Sequence, residues 1–187
     1  MIRTFLIALL ASCILACTPA DLTISNAPSC PADIAFATTT HSAGFTIHAP
    51  QPPGWSTRPV EGGGLVLHRF EAAIEGADPP FGMATVTVAT FSPANTADAA
   101  SNTLRILRPN ESDWHRTRSE EVQICGNTAH LTTGTTADSH HDYLEFAYPL
   151  GDKFYPIQIA TQPPVANVAR YRADLDAILS GVRISAM

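Results

Sequence analysis

Chemistry shows first in this sequence at a cysteine that closes a short apolar run, Ile14-Leu15-Ala16-Cys17. Cut off before that cysteine, a signal peptide would free the thiol for a thioether bond to diacylglycerol. Secretion signals combine a positive start, an apolar stretch of roughly 7 to 15 residues and small residues at the cut. Arg3 supplies the positive start and Phe5 to Leu15 the stretch. The competing cut at Leu10-Ala11-Ser12-Cys13 leaves a shorter apolar run, Phe5 to Leu10, and would expose Ile14-Leu15-Ala16. We take Cys17 as the acylated residue, because Thr18-Pro19-Ala20-Asp21 reads as the start of a tether. The apolar run is too short to span a bilayer core of about 30 Å as a helix.

Two thiols remain, Cys30 and Cys125, in an oxidising compartment where a disulfide is the default. Their bridge would close a loop of about 95 residues, worth some 4 kcal/mol on the chain-entropy model and typically 2 to 4 in practice. His140-His141-Asp142, with His130 upstream, is the densest set of metal-ligand types. Adjacent residues of a strand point to opposite faces, so only one of His140 and His141 could share a site with His130. We read the set as a solvated turn and expect no metal centre. Glu71, Glu75 and Asp78 lack the spacing of a calcium loop. Gly62-Gly63-Gly64 precedes a strand and lacks the Lys-Ser/Thr of a phosphate loop. There is no GxSxG elbow, so no catalytic residue is assigned and no cofactor is expected.

Around these residues the chain divides into a signal peptide (1–16), a tether (17–32) and one domain (33–187). The chain carries 11 basic and 17 acidic residues, and the signal peptide removes one base, Arg3, and no acid. Nucleic acid is excluded as a partner, since phosphate binding needs a Lys/Arg-rich face. Attachment to anionic lipid by charge is excluded too, so the membrane is held through the acyl chains.

The domain reads as short strands with two helices. Gly44 to Ala49 alternates apolar and polar residues, Pro50-Gln51-Pro52-Pro53-Gly54 ends that run, and Trp55 plugs one end of a core. Leu65 to Phe70 and Met83 to Phe91 are strands, and Ala97, Ala100, Leu104 and Leu107 give a helix capped by Asn95 and stopped by Pro109. Strands follow at Arg118 to Cys125, Thr128 to Thr135, Asp142 to Tyr148 and Phe154 to Thr161. Pro149-Leu150-Gly151-Asp152 joins the last two as a hairpin. Pro156 lacks a donor, which favours an edge or bulge for the final strand. A closing helix carries Val165, Val168, Tyr171 or Arg172, Leu175, Ile178, Leu179 and Val182 at helical spacing. The expected fold class is α+β, an antiparallel sheet sandwiched by helices.

The element order, Ala49-Pro50-Gln51-Pro52-Pro53-Gly54-Trp55, the Gly126-Asn127-Thr128-Ala129 turn and the ending Tyr171 to Ile184 resemble the LpqN/LpqT-type lipoproteins of actinobacteria. The resemblance covers roughly Phe45 to Ile184. It implies a PsbP/Mog1-like α/β/α sandwich and a lipid-anchored place in the cell envelope, with a hint of partners in envelope lipid transport.

The function expected is a non-enzymatic binding module for an envelope protein or an apolar envelope ligand. Tyr143 and Tyr155, on a hairpin with more aromatic residues than one core face needs, are its candidate contacts. The alternatives are a hydrolase acting on an envelope ester through a site assembled only on folding, and a purely structural envelope component.

Overall fold

The computed structural model describes residues 30, 34–60, 62–72, 81–108 and 113–187. The signal peptide, Cys13, Cys17 and the tether apart from Cys30 lie outside the described residues, as do Glu75 and Asp78. Period-2 runs dominate the rest and fold as ten strands among the described residues: β1 (Phe36–His41), β2 (Phe45–Pro50), β3 (Ser56–Val60), β4 (Gly64–Glu71), β5 (Gly82–Thr90), β6 (His115–Ile124), β7 (Asn127–Thr135), β8 (His140–Leu150), β9 (Lys153–Thr161) and β10 (Arg183–Ala186). The helices are α1 (Ala97–Ile106) and α2 (Val168–Gly181), the latter entered by a single 3₁₀ turn at Val165–Asn167.

Seven strands form one antiparallel sheet in the order β3-β4-β5-β9-β8-β7-β6, and β1-β2-β10 form a second. Alternate residues of the large sheet, among them Leu67, Val86, Ile159, Leu144 and Leu131, make one apolar face. Phe45 and Ile47 of β2 cover that face together with Tyr171, Leu175, Ile178 and Leu179 of α2. The opposite face carries α1, which packs on β8 and β9 through Ala100 and Leu104.

The expected helix-sandwiched α/β/α arrangement is therefore overturned. Strands make up 56% of the described residues against 19% for helices, of which there are two. The layer over the core is half sheet, because β2 pairs with β10 across the length of the chain, Ile47 opposite Ile184. The period-2 pattern of Phe45 to Ala49 shows a strand but not its partner.

Three local expectations are corrected as well. Thr96, not Asn95, caps α1, its Oγ1 accepting from the Ala99 amide at 3.2 Å. The strand with Pro156 is not an edge, since β9 lies between β5 and β8. Its missing donor goes unneeded because the β5 pairing stops at Ile157, and the Pro156 carbonyl accepts from the Phe91 amide at 2.9 Å. The β6–β7 turn is Cys125-Gly126, both at positive φ (49° and 81°), between the opposed Ile124 and Asn127. Two such residues make the tight reverse turn whose twist suits a hairpin.

Cys125 at this tip is bonded to Cys30, with Cα atoms 5.3 Å apart.

On the α1 face, the indole of Trp114 lies flat over Gly134 and edge-on to Tyr143. A Cβ on Gly134 would sit 2.2 Å from Trp114 Nε1. Gly134→Ala is predicted to lower stability by about 1–3 kcal/mol, the usual penalty of overpacking. A urea melt reads this directly, and the loss should shrink in a Trp114→Ala background. Equal losses in both backgrounds would refute the packing argument.

Candidate functional site

Helix α1 leans on the sheet at β8 and β9 and leaves the neighbouring part of that face open. One flank of the helix, Ala97, Ser101, Arg105 and Arg108, therefore overlooks β6 and β7 across a cleft of about 530 Å³. The spacing of those four residues places them along one stripe of a helix and the turn that follows it. The far wall holds Arg116, Ser119 and Glu121 of β6, and the floor holds His130 of β7 with Glu145 and Ala147 of β8.

The floor is ionic. Glu145 is almost fully buried, and Arg108 Nε donates to its Oε1 at 3.0 Å while Arg108 Nη2 contacts Oε2. Gln158 Nε2, from β9, also donates to Oε1 at 3.0 Å. A carboxylate in this position is tolerated only because it is paired and hydrogen-bonded. The arrangement fixes Arg108, and with it the chain leaving α1, against the sheet.

On the wall, Ser119 Oγ lies 2.8 Å from His130 Nε2. Glu121 is directly opposite His130 in the β6–β7 register. Serine, histidine and acid thus share one sheet face. However, no hydrogen bond joins His130 to a carboxylate among the described residues. Ser119 and His130 are exposed and stand in mid-strand, where no pair of backbone donors converges to make an oxyanion hole.

Below Glu145 the sheet divides. The β7–β8 ladder runs from Thr135 opposite His140 to His130 opposite Glu145 and stops there. β7 continues down to Asn127, paired only with β6, and β8 continues to Leu150, paired only with β9. Between the two hairpins lies a second cavity of about 290 Å³, bordered by Asn127 and Thr128 on one side and Phe146 to Pro149 on the other. Thr128 and Ala147 border both cavities.

The sequence-selected residues are distributed differently. Tyr143 is buried under Trp114, 6% exposed, with its hydroxyl 3.3 Å from His141 Nδ1. Burial raises its pKa to about 12. Tyr155 is half-buried on the core face against Phe45 and opposite Tyr148. The two tyrosines lie on opposite faces of the sheet, so no common contact surface unites them. His140 and His141 likewise point to opposite faces. His140 Nε2 lies 3.2 Å from Asp142 Oδ1, while His141 stacks on Tyr143, its pKa lowered by burial and by the neighbouring His140. No group of three metal-ligand side chains occurs among the described residues. Glu71 is tied to Arg69 and Arg170; the Arg170 hydrogen bond holds its carboxyl below the ordinary range.

Sequence reasoning did not select Arg108, Ser119 or Glu145. One signal was present: Glu145 is the lone acid in the apolar stretch Tyr143 to Tyr148, and an acid there demands a cation. Nothing in the sequence names Arg108 as that cation, since it lies 37 positions away.

No protein-family model matches this chain, and no curated protein matches it. Among solved structures it is similar to the solution structure of cyanobacterial PsbP (CyanoP) from Synechocystis sp. PCC 6803, with a TM-score of 0.43 and 12% sequence identity over 84% of this chain and 98% of that one.

Proposed function

We propose that this chain is an exported protein held on the outer side of the cell membrane by lipid on Cys17, and that its body is a binding module for another envelope protein. One observation carries the reading: a cleft of about 530 Å³ with a fixed ionic floor opens beside α1. Its polar lining favours a protein partner over the apolar ligand. The lipobox and the LpqN/LpqT-type features of the sequence support the location. Among the described residues no helix is long and apolar enough to cross a membrane.

Two measurements test it. Intact mass of membrane-extracted protein should show a diacylglycerol-bearing Cys17, and Cys17→Ser should release the chain; lipid on Cys13 would move the cut. A photoreactive residue at Ser101, on the cleft wall, should cross-link to one envelope protein in intact cells, while the same probe at the exposed Ser92 should not. Cross-linking that is equal at the two positions would sink the binding reading.

The Ser119–His130 contact favours a second reading, an esterase. Turnover of short-chain acyl esters that Ser119→Ala abolishes would establish it in place of the first.

A further inference from the structure

We infer that Trp114 is a proton-operated roof: when His141 takes up a proton, the indole leaves Gly134 and uncovers Tyr143 and Thr132 beside the cleft. The switch goes beyond the binding reading and does not depend on what occupies the cleft.

Gly134 is directly opposite His141 in the β7–β8 register, so the indole over Gly134 lies beside the strand that carries the imidazole. His141 is 7% exposed and stacks on Tyr143, the rings 7° from parallel with centroids 5.9 Å apart. Trp114 meets Tyr143 edge-on at 5.7 Å. The Tyr143 hydroxyl lies 3.3 Å from His141 Nδ1. Burial keeps that phenol protonated, so it donates and the imidazole accepts. Only a neutral ring offers a lone pair there. A proton on Nδ1 ends that bond and places a cation where water does not reach. Stacking on an aromatic face returns part of the loss, but desolvation is the larger effect.

The surrounding charges do not cancel it. On β8, His140 adds like charge, while Asp142 opposes only in part, since it points to the other face and is held by Arg172. From β7 the opposite residue is Gly134, with the cationic Arg116 of β6 beyond it. Asp113 and His115 flank Trp114 at exposed positions, where water and salt screen them. On the β9 side Ala160 and Thr161 stand opposite Tyr143 and Asp142, and Gln162 comes next; none of the three ionises. Glu145 and Arg108 face Tyr143 from the cleft as a neutralised pair. The roofed ring thus has a lowered pKa, first through burial and then through His140. The open form binds the proton more readily. Its ratio to the roofed form therefore rises as the pH falls below about 6.5, by at most about tenfold per pH unit, and levels off at the lower value of the roofed ring.

Two further groups favour opening. Trp114 Nε1 and Thr132 Oγ1 have no hydrogen-bond partner, although their residues are 5% and 0% exposed. Buried polar groups without partners cost stability, and movement of the indole gives both to water. The indole is held by packing, with no hydrogen bond of its own. Thr132 stands opposite Ser119 of the cleft wall, so the uncovered surface adjoins the cleft.

Fluorine NMR of the purified protein carrying fluorotryptophan, its disulfide intact, reads the roof directly, with Trp114→Phe assigning the Trp114 signal. On lowering the pH from about 7.5 to about 5, across the range in which histidine charges, that signal should move to a solvent-exposed position. The nitrogen signal of the His141 ring should move with it, while the Trp55 signal and the far-UV circular dichroism stay unchanged. His141→Phe keeps a ring on Tyr143 but takes no proton, so its Trp114 signal should not move. Tyr143→Phe removes the hydroxyl that favours the neutral ring and should raise the midpoint by about half a pH unit or more.

Movement of Trp114 that persists in His141→Phe, or that appears only together with global unfolding, would overturn the proposal. So would a Trp114 signal that stays fixed while His141 takes its proton, a comparison within the wild type that holds even if the His141→Phe chain does not fold. None of these signals needs an occupied cleft. A failed switch therefore leaves the binding module standing, and a Ser101 probe that captures nothing leaves the switch standing.

Discussion

Replacing Arg172 by methionine should destabilise the protein by about 3–5 kcal/mol, the range for removing one partner of a buried ion pair. Asp142 has no exposed surface and sits on the core face of β8. Its Oδ2 accepts from Arg172 Nη2 at 3.1 Å and from Thr161 Oγ1 at 3.0 Å. Its Oδ1 accepts from Thr133 Oγ1 at 2.9 Å and contacts His140. Methionine fills much of the space of the arginine stem but leaves this carboxylate without its guanidinium, so the loss is electrostatic more than steric. Chemical denaturation at pH 7 gives the number. A loss below about 1 kcal/mol would mean that water reaches Asp142, as at surface pairs.

The loss should also depend on pH. Burial acts to raise the Asp142 pKa, but the His140 hydrogen bond, the Arg172 charge and the Thr133 hydroxyl outweigh it and hold the carboxyl below its ordinary value. A depressed carboxyl contributes stability that is present above the unfolded-chain value of about 3.9 and is lost as the pH falls through the lower folded value. Arg172 serves the ionised form, so the gap between wild type and variant should narrow in that acid window. Asp176, which also accepts from Arg172, is pushed the other way by its own burial. Its contribution therefore declines as the pH rises, but Arg172 opposes that shift, so losing Arg172 makes ionised Asp176 costlier still and adds to the wild-type advantage near neutrality. A gap that widens in acid would show that Arg172 acts by packing.

Removing the disulfide as a Cys30→Ser, Cys125→Ser pair is the second large effect, about 2–4 kcal/mol. The bridge spans 95 positions, and the chain-entropy account assigns the stabilisation to the unfolded chain, which loses a long loop. Thermal unfolding with and without reductant should show the same shift as the double variant. Peptide mapping without reduction should recover the Cys30 and Cys125 peptides joined; two free thiols would remove both the bridge and the stability assigned to it.

Much of this molecule can be read from its residues. Val86 and Val88 alternate with Thr85 and Thr87, and the β8–β9 hairpin follows from Gly151, which adopts a φ of 63°. The stripe from Tyr171 to Leu179 is the buried face of α2. What could not be read depends on partners distant in sequence. β3, with the sequence Ser56-Thr57-Arg58-Pro59-Val60, has no apolar alternation and exists because β4 lies beside it. β10 is four residues long and takes its place from β2. The gap between β7 and β8 below Glu145 is a property of register, set by where one ladder ends. Tyr143 looked available because alternation sets it apart from the core face, but Trp114 roofs it over, and Trp114 arrives from a stretch with no pattern of its own.

The disulfide at the tip of the β6–β7 hairpin also decides how the molecule bears load. Were Cys17 lipidated as proposed, a pull on the chain before Cys30 would divide there, part following the peptide chain toward β1 and part crossing the bridge into Cys125. That hairpin joins β8 through the six rungs from Thr135–His140 to His130–Glu145. The share of the load that crosses the bridge would act on the β6–β7 hairpin, with the top of the β7–β8 ladder as its pivot.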